Sequence, residues 1–224
     1  MKAIILAAGR GERMRPLTDT IPKPLLTVAG KPLIVYHLMA LARAGIREVV
    51  INLSWLGGQI ATALGDGSQY GVRIQYSDEG AVALETAGGI FHALPLLGAS
   101  PFLVVNGDIW TDIDFSGLEL EPDADARLVL VPNPPQHPRG DFGLAGEFIV
   151  ERESDRFTYA GVGVYRPEFF AGCTPGKFPL LPLLKRAIAA RRLRGQLHGG
   201  EWSDVGTPER LAVLQSRAAP RDFA

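Results

Sequence analysis

The chain has 224 residues, 46% of them hydrophobic, enough to bury a substantial core and suited to one domain. Its 23 Lys and Arg against 24 Asp and Glu leave a formal charge of −1, so no broad field draws it to nucleic acid or to an anionic membrane. The single cysteine, Cys173, excludes an internal disulfide and a multi-cysteine metal site, which fits a reducing compartment.

Short apolar runs of strand length alternate with segments of helical period. This is the pattern of a three-layer α/β fold, a mostly parallel twisted sheet with helices on both faces. Ala3 to Ala7 is the first buried strand. Arg10, Glu12, Arg13 and Arg15 follow so closely that the run does not make a leader peptide, and no later run approaches the ~20 apolar residues of a membrane span. The expectation is a soluble, cytoplasmic protein. Residues 32–44 predict a helix with Pro32 at its start, Ile34, Leu38, Leu41 and Ala42 on one face, and Gly45 as its stop. Strands follow at 48–53, 72–76 and 102–105, with helices at 58–64 and 86–94 between them. Farther on, 127–131 and 158–164 read as strands and 180–190 as a helix. Residues 201–205 form a short segment that delivers Asp204, and 208–216 a helix capped by Thr207 with Pro208 at its first position. The proline-dense run from Pro132 to Asp141 predicts a stiff loop, a flap or a wall over a pocket. There is no internal repeat, and residues 218–224 are expected to fray.

Ligands of open α/β sheets bind beyond the carboxyl ends of the strands, so the loops that start at Ala8 and at Asn106 should face one site. The first is Gly9-Arg10-Gly11-Glu12-Arg13, placed directly after a buried strand, where glycines let backbone N–H groups approach phosphate oxygens. A Walker loop would end in Gly-Lys-Ser or Gly-Lys-Thr, which is missing; a dinucleotide fingerprint needs a third glycine, where Met14 stands, and an acid closing the second strand, where Asn52 and Leu53 stand. What remains is a longer constellation that continues through Pro16-Leu17-Thr18 to Pro22-Lys23-Pro24-Leu25. Attack of one phosphate on another is a meeting of two anions, which fixed cations must offset. Arg13 offers a planar fork for the leaving phosphates, and Lys23, pinned between prolines, a point charge with little backbone freedom.

Asn106-Gly107-Asp108 closes an apolar run, and Asp204 precedes Gly206 and a helix start. Each aspartate alone reads first as a turn or cap former. Together they supply the one or two carboxylates that Mg²⁺ takes alongside phosphate oxygens and water. None of His37, His92, His137 and His198 shows catalytic spacing, and none is required, because a phosphate oxygen ionised at neutral pH is its own nucleophile.

The run Leu6-Ala7-Ala8-Gly9-x-Gly11-x-Arg13-Met14-x-Pro16-Leu17-Thr18, with Pro22-Lys23-Pro24, resembles the signature of the nucleotide-sugar pyrophosphorylases, the NTP-transferase family on a glycosyltransferase-A-like fold. Compatible landmarks extend to Gly206. The resemblance implies a Mg²⁺-dependent nucleotidyltransferase in which Arg13 and Lys23 are catalytic and Asp108 and Asp204 bind the metal. It implies a nucleotide site of Leu6, Ala8, Gly9, Gly11, Glu12, Arg13, Lys23, Thr86 and Gly88, and an acceptor site of Asn106, Gly140, Asp141, Glu151 and Asp204, with Thr158 and Gly161 in the same pocket. Residues 1–110 would then hold the nucleotide and 111–224 the sugar, in one catalytic domain without a carboxy-terminal β-helix. The stretch from Asn106 to Asp112 and the loop Arg139-Gly140-Asp141-Phe142 look most like members that use UTP and N-acetylmuramate α-1-phosphate, with Arg139 or the Gly140 backbone a candidate for the lactyl carboxylate. GTP with mannose 1-phosphate, CTP with phosphocholine, and a non-catalytic nucleotide-sugar sensor are the alternatives. Neither nucleic acid nor membrane is an expected partner, and the oligomeric state is open, with a monomer compatible.

Overall fold

A computed structural model describes residues 1–217. The segment 218–224, expected to fray, lies outside the described residues. The chain opens with β1 (Lys2–Leu6), whose alternate side chains enter opposite cores: Ala3 and Ile5 on one face, Ile4 on the other. A loop of single 3-10 turns and a small hairpin, β2 (Thr27–Val28) and β3 (Lys31–Pro32), lead into α1 (Leu33–Arg43). That helix starts after Pro32 and stops at Gly45, whose φ of 76° is the left-handed conformation glycine adopts without penalty. There follow β4 (Glu48–Leu53), α2 (Gly57–Leu64), β5 (Arg73–Asp78), α3 (Glu85–Leu97) and β6 (Phe102–Asn106). α3 runs through Pro95, past the end expected at Leu94, because Leu97 still packs into the core with Ile90 and Ala93.

The rest of the chain comprises β7 (Ile109–Thr111), β8 (Ala126–Val131), β9 (Phe142–Ala145), β10 (Phe148–Val150), β11 (Arg156–Tyr165), α4 (Leu181–Ala189), β12 (Leu193–Leu197), β13 (Trp202–Asp204) and α5 (Pro208–Arg217). Among the described residues, nine strands form one sheet in the order β5-β4-β1-β6-β11-β8-β12-β10-β9. β5, β4, β1 and β6 are parallel, as helical crossovers require. Beyond them the sheet is mixed: β11 runs antiparallel to both β6 and β8, β12 parallel to β8, and β9 and β10 form a hairpin at the edge. The parallel character expected of the sheet thus belongs mainly to its amino-terminal half, because short turns replace crossover helices from β9 to β11.

α1 and α2 cover one face through Ile34, Leu38, Leu41, Ile60 and Leu64; α3 and α4 cover the other through Ala87, Ile90, Ala93, Leu184 and Ala187. A third, smaller core joins Met14, Val28 and Leu33 to Trp110, Val205, Leu211 and Leu214. It ties α5 to the loop after β1, so the two ends of the described chain meet beside the strand termini. In register, Leu6 lies beside Asn52 and Asn106, so the carboxyl ends of β4, β1 and β6 align along one rim.

Candidate active site

A cleft of about 620 Å³ opens over that rim. Its floor is Leu6, Ala8, Gly9 and Gly11, and its walls include Glu12, Arg13, Lys23 and Thr86. Gly11 is obligatory here: its φ is 68°, and a Cβ would lie 3.0 Å from Thr18 Cγ2 and 3.4 Å from Lys23 Cβ. Thr18 closes the turn by donating its hydroxyl to the Gly11 carbonyl at 2.8 Å. Lys23 is 7% exposed and held in a 3-10 turn flanked by Pro22 and Pro24; its Nζ donates to Asp108 Oδ2 at 2.5 Å. The cation expected on the phosphates and the carboxylate expected on the metal therefore form one charge-assisted pair across the cleft.

Gly107 brings Asp108 to this place. Its N–H donates to the Leu6 carbonyl at 2.9 Å, and a Cβ would stand 2.7 Å from that oxygen. β7 then pairs antiparallel with β13, setting Asp204 opposite Ile109, one residue from Asp108, while Val205 N–H donates to the Asp108 carbonyl at 2.9 Å. Asp204 accepts from Gln136 Nε2 at 2.6 Å through Oδ1 and from Arg210 Nη1 through Oδ2. Among the described residues no group of three or more His, Cys, Asp or Glu side chains is placed to hold a metal. Two neighbouring hard carboxylates, one of them open to the cleft, fit an ion that takes most of its ligands from phosphate and water.

A second cavity of about 390 Å³ adjoins the first and shares Arg13, Asn106 and Asp108 with it. Asp141, Thr158, Gly161 and Asp204 line it, and Pro134, Gln136 and His137 of the proline-dense loop form a wall. Asp141 is committed on both oxygens, accepting from Tyr159 N–H at 2.8 Å and lying 3.0 Å from His137 Nε2. Asn106 reaches over a break in the β11 register at Gly161, where φ is 75° and a Cβ would lie 2.6 Å from Asn106 Nδ2.

Four expected placements are corrected. Gly88 does not line the cleft: its N–H donates to the Phe178 carbonyl at 3.1 Å, and a Cβ would strike the Gly176 carbonyl. One residue on, a helix turns by about 100°, and it is Gly89 that faces Asn52 and Glu79. Gly140 shapes the loop instead of lining the cavity, with a φ of 58° and Asn133 Oδ1 2.5 Å from a built Cβ. Glu151 follows β10 at the far side of the sheet and pairs with Lys185 at 3.1 Å on the surface. Arg139 is likewise exposed and outside the cavity wall.

Other residues of the site went unread. Asn52, 3% exposed, accepts from Ala7 N–H at 2.7 Å and donates to Glu79 Oε1 at 2.6 Å, and Glu79 Oε2 accepts from Leu84 N–H at 2.7 Å. A lone amide at the end of an apolar strand was its only signal. Arg10 lines the cleft with its guanidinium 4.1 Å over the Trp55 ring, and Arg210 lines the second cavity. Behind the centre, His37 is fully buried with Nε2 unpartnered, and its pKa is pushed down to about 4, chiefly by burial, against a hydrogen bond at Ile109 and the nearby Asp108 charge.

Residues 2–154 match the family model described as nucleotidyl transferase. The N-acetylmuramate alpha-1-phosphate uridylyltransferase of Neisseria meningitidis serogroup B is 56% identical, with 97% of this chain and 98% of that protein covered. The enzyme of the same name from Caulobacter vibrioides is 37% identical over 97% and 96%. In fold, the chain matches a crystal structure from Bacillus anthracis, assigned as a glucose-1-phosphate thymidylyltransferase, with a TM-score of 0.88 at 22% identity, covering 100% of this chain and 97% of that one. On the family match, the near full-length relatives and the fold, this chain belongs to the nucleotidyl transferase family and is an enzyme of nucleotidyl transfer to sugar 1-phosphates.

Proposed function

We propose that the chain transfers the uridylyl group of UTP to N-acetylmuramate α-1-phosphate, in the cytoplasm, as a step of cell-wall sugar recycling. The observation that carries this reading is the pair of adjoining cavities with Arg13, Asn106 and Asp108 in their common wall. Two phosphorylated substrates bound one in each would meet at that wall, and the full-length relatives are named for this donor and acceptor. The sugar phosphate oxygen attacks the α-phosphorus of UTP, the bond from that phosphorus to the β-phosphate oxygen breaks, and pyrophosphate leaves. Arg13 and Lys23 offset the charge gathered on the phosphates, while the glycine-rich turn offers backbone N–H groups. Asp108 and Asp204 would hold Mg²⁺, which when bound neutralises charge at the α-phosphate. Thr86, in the first cavity alone, would contact the nucleotide, Asp141, in the second alone, the sugar, and Asn106, in both, would face the junction. Among the described residues no helix is long and apolar enough to cross a membrane.

A matrix of the four nucleoside triphosphates against N-acetylmuramate 1-phosphate, mannose 1-phosphate and phosphocholine, read as pyrophosphate release, tests this reading. The expected outcome is turnover with UTP and N-acetylmuramate 1-phosphate above every other pair. A preference for GTP with mannose 1-phosphate would overturn the substrate assignment, and no turnover with any pair would favour a nucleotide-sugar sensor.

A further inference from the structure

Arg210 is built into the acceptor cavity by several independent features. Thr207 Oγ1 accepts from Arg210 N–H at 3.4 Å in the first turn of α5, and the neighbouring Leu211 and Leu214 anchor that helix beside Met14 and Val205. Gly206 leaves the space the side chain crosses, since a Cβ there would collide with the guanidinium. The side chain is one-fifth exposed, and Nη1 donates to Asp204 Oδ2. A guanidinium carries five N–H donors, and among the described residues the side-chain hydrogen bond of this one goes to Asp204, with Glu209 a nearby charge.

The cavity's charge gives those donors a purpose. Its wall holds the carboxylates of Asp108, Asp141 and Asp204, which repel an incoming phosphate dianion. Arg13 also borders the nucleotide cleft, so Arg210 is the guanidinium confined to the acceptor side among the described residues. We propose that Arg210 binds the acceptor's phosphate. Nη1 keeps Asp204 in place, while the remaining N–H groups take the non-attacking phosphate oxygens, the planar-fork recognition that lysine does not reproduce. This assignment rests on the functional reading above and names a further substrate-binding residue within it.

The test is steady-state kinetics of Arg210→Gln and Arg210→Lys, varying N-acetylmuramate 1-phosphate, UTP and Mg²⁺ in turn. The acceptor KM should rise by roughly ten- to a hundredfold in Arg210→Gln, the loss of a charge-assisted contact, and recover in part in Arg210→Lys. UTP KM and Mg²⁺ half-saturation should stay within about twofold of wild type, since only one substrate loses an interaction. A shift confined to Mg²⁺ half-saturation would overturn the proposal, because Arg210 would then only orient Asp204. A defect that vanishes with N-acetylglucosamine 1-phosphate as acceptor would also overturn it, because the residue would then read the lactyl carboxylate. If Arg210→Gln does not fold, Arg210→Lys, with its charge and apolar stem kept, carries the test through its own acceptor KM. Wild-type turnover with unchanged acceptor KM in the folded variants removes this assignment alone, whereas no wild-type turnover with any sugar 1-phosphate removes the functional reading with it.

Discussion

Neighbouring glycines at the start of α3 have different duties, and substitution separates them. Gly88→Ala must push against the Gly176 carbonyl and the Phe178 backbone nitrogen, so it should cost about 1–3 kcal/mol of stability while leaving the UTP KM near wild type. Gly89→Ala meets the Asn52 and Glu79 side chains that line the cleft, so it should raise the UTP KM more than it lowers the melting temperature. Thermal melts and KM values for both variants check this, and the reverse pattern would restore Gly88 to the nucleotide site. Glu151→Ala removes an exposed ion pair with Lys185, so stability should move by less than ~0.5 kcal/mol and both KM values should hold. Sequence reading placed Gly11, Arg13, Lys23 and Asp108 because each has a local cause: a turn, a fork, a proline clamp, a strand end. It misplaced Gly88 and Glu151 because which side of a helix faces the cleft, and which edge of the sheet a loop occupies, are settled by packing partners distant in the chain.

At the scale of elements, α1 and α5 hold the site from behind and from the side. His37 sits on the buried face of α1, and its pKa of about 4 lies below the unfolded value near 6.5. Between these values the unfolded chain binds a proton that the folded one does not. The contribution of His37 is therefore fully present above pH 6.5 and is lost as the pH falls toward 4, by about 3 kcal/mol at most. Urea unfolding at pH 7 and pH 5 should show less acid destabilisation in His37→Met than in wild type; equal losses would refute this role. Leu214→Ala should cost about 2–4 kcal/mol, because it opens the small core that docks α5 on the loop after β1. The first four strands of the sheet and the helices between them were legible because runs such as Phe102 to Val105 are continuously apolar and end in polar turns. β12 was not, because Leu193-Arg194-Gly195-Gln196-Leu197 is polar in sequence. Its Arg194 is nonetheless buried, bonded to Asp123 Oδ2 at 2.7 Å and stacked 4.0 Å from the Phe148 ring. The β9–β10 hairpin was missed for its shortness, two brief strands around Gly146-Glu147.

Over the whole molecule, the parallel half of the sheet aligns strand ends under the first cleft, and the mixed half raises the wall of the second cavity. The two halves join where β6 meets β11 and where β13 returns to β7. This brings Asp108, which borders both cavities, to Lys23 in the wall of the first, 85 residues away in the chain. Nucleotidyl transfer is assigned to this junction. Its most direct test is turnover of UTP and N-acetylmuramate 1-phosphate by Lys23→Ala and Asp108→Asn, each confirmed folded by its melting curve. In both, kcat should fall by roughly a hundredfold or more; wild-type turnover in both would rule out transfer at this place.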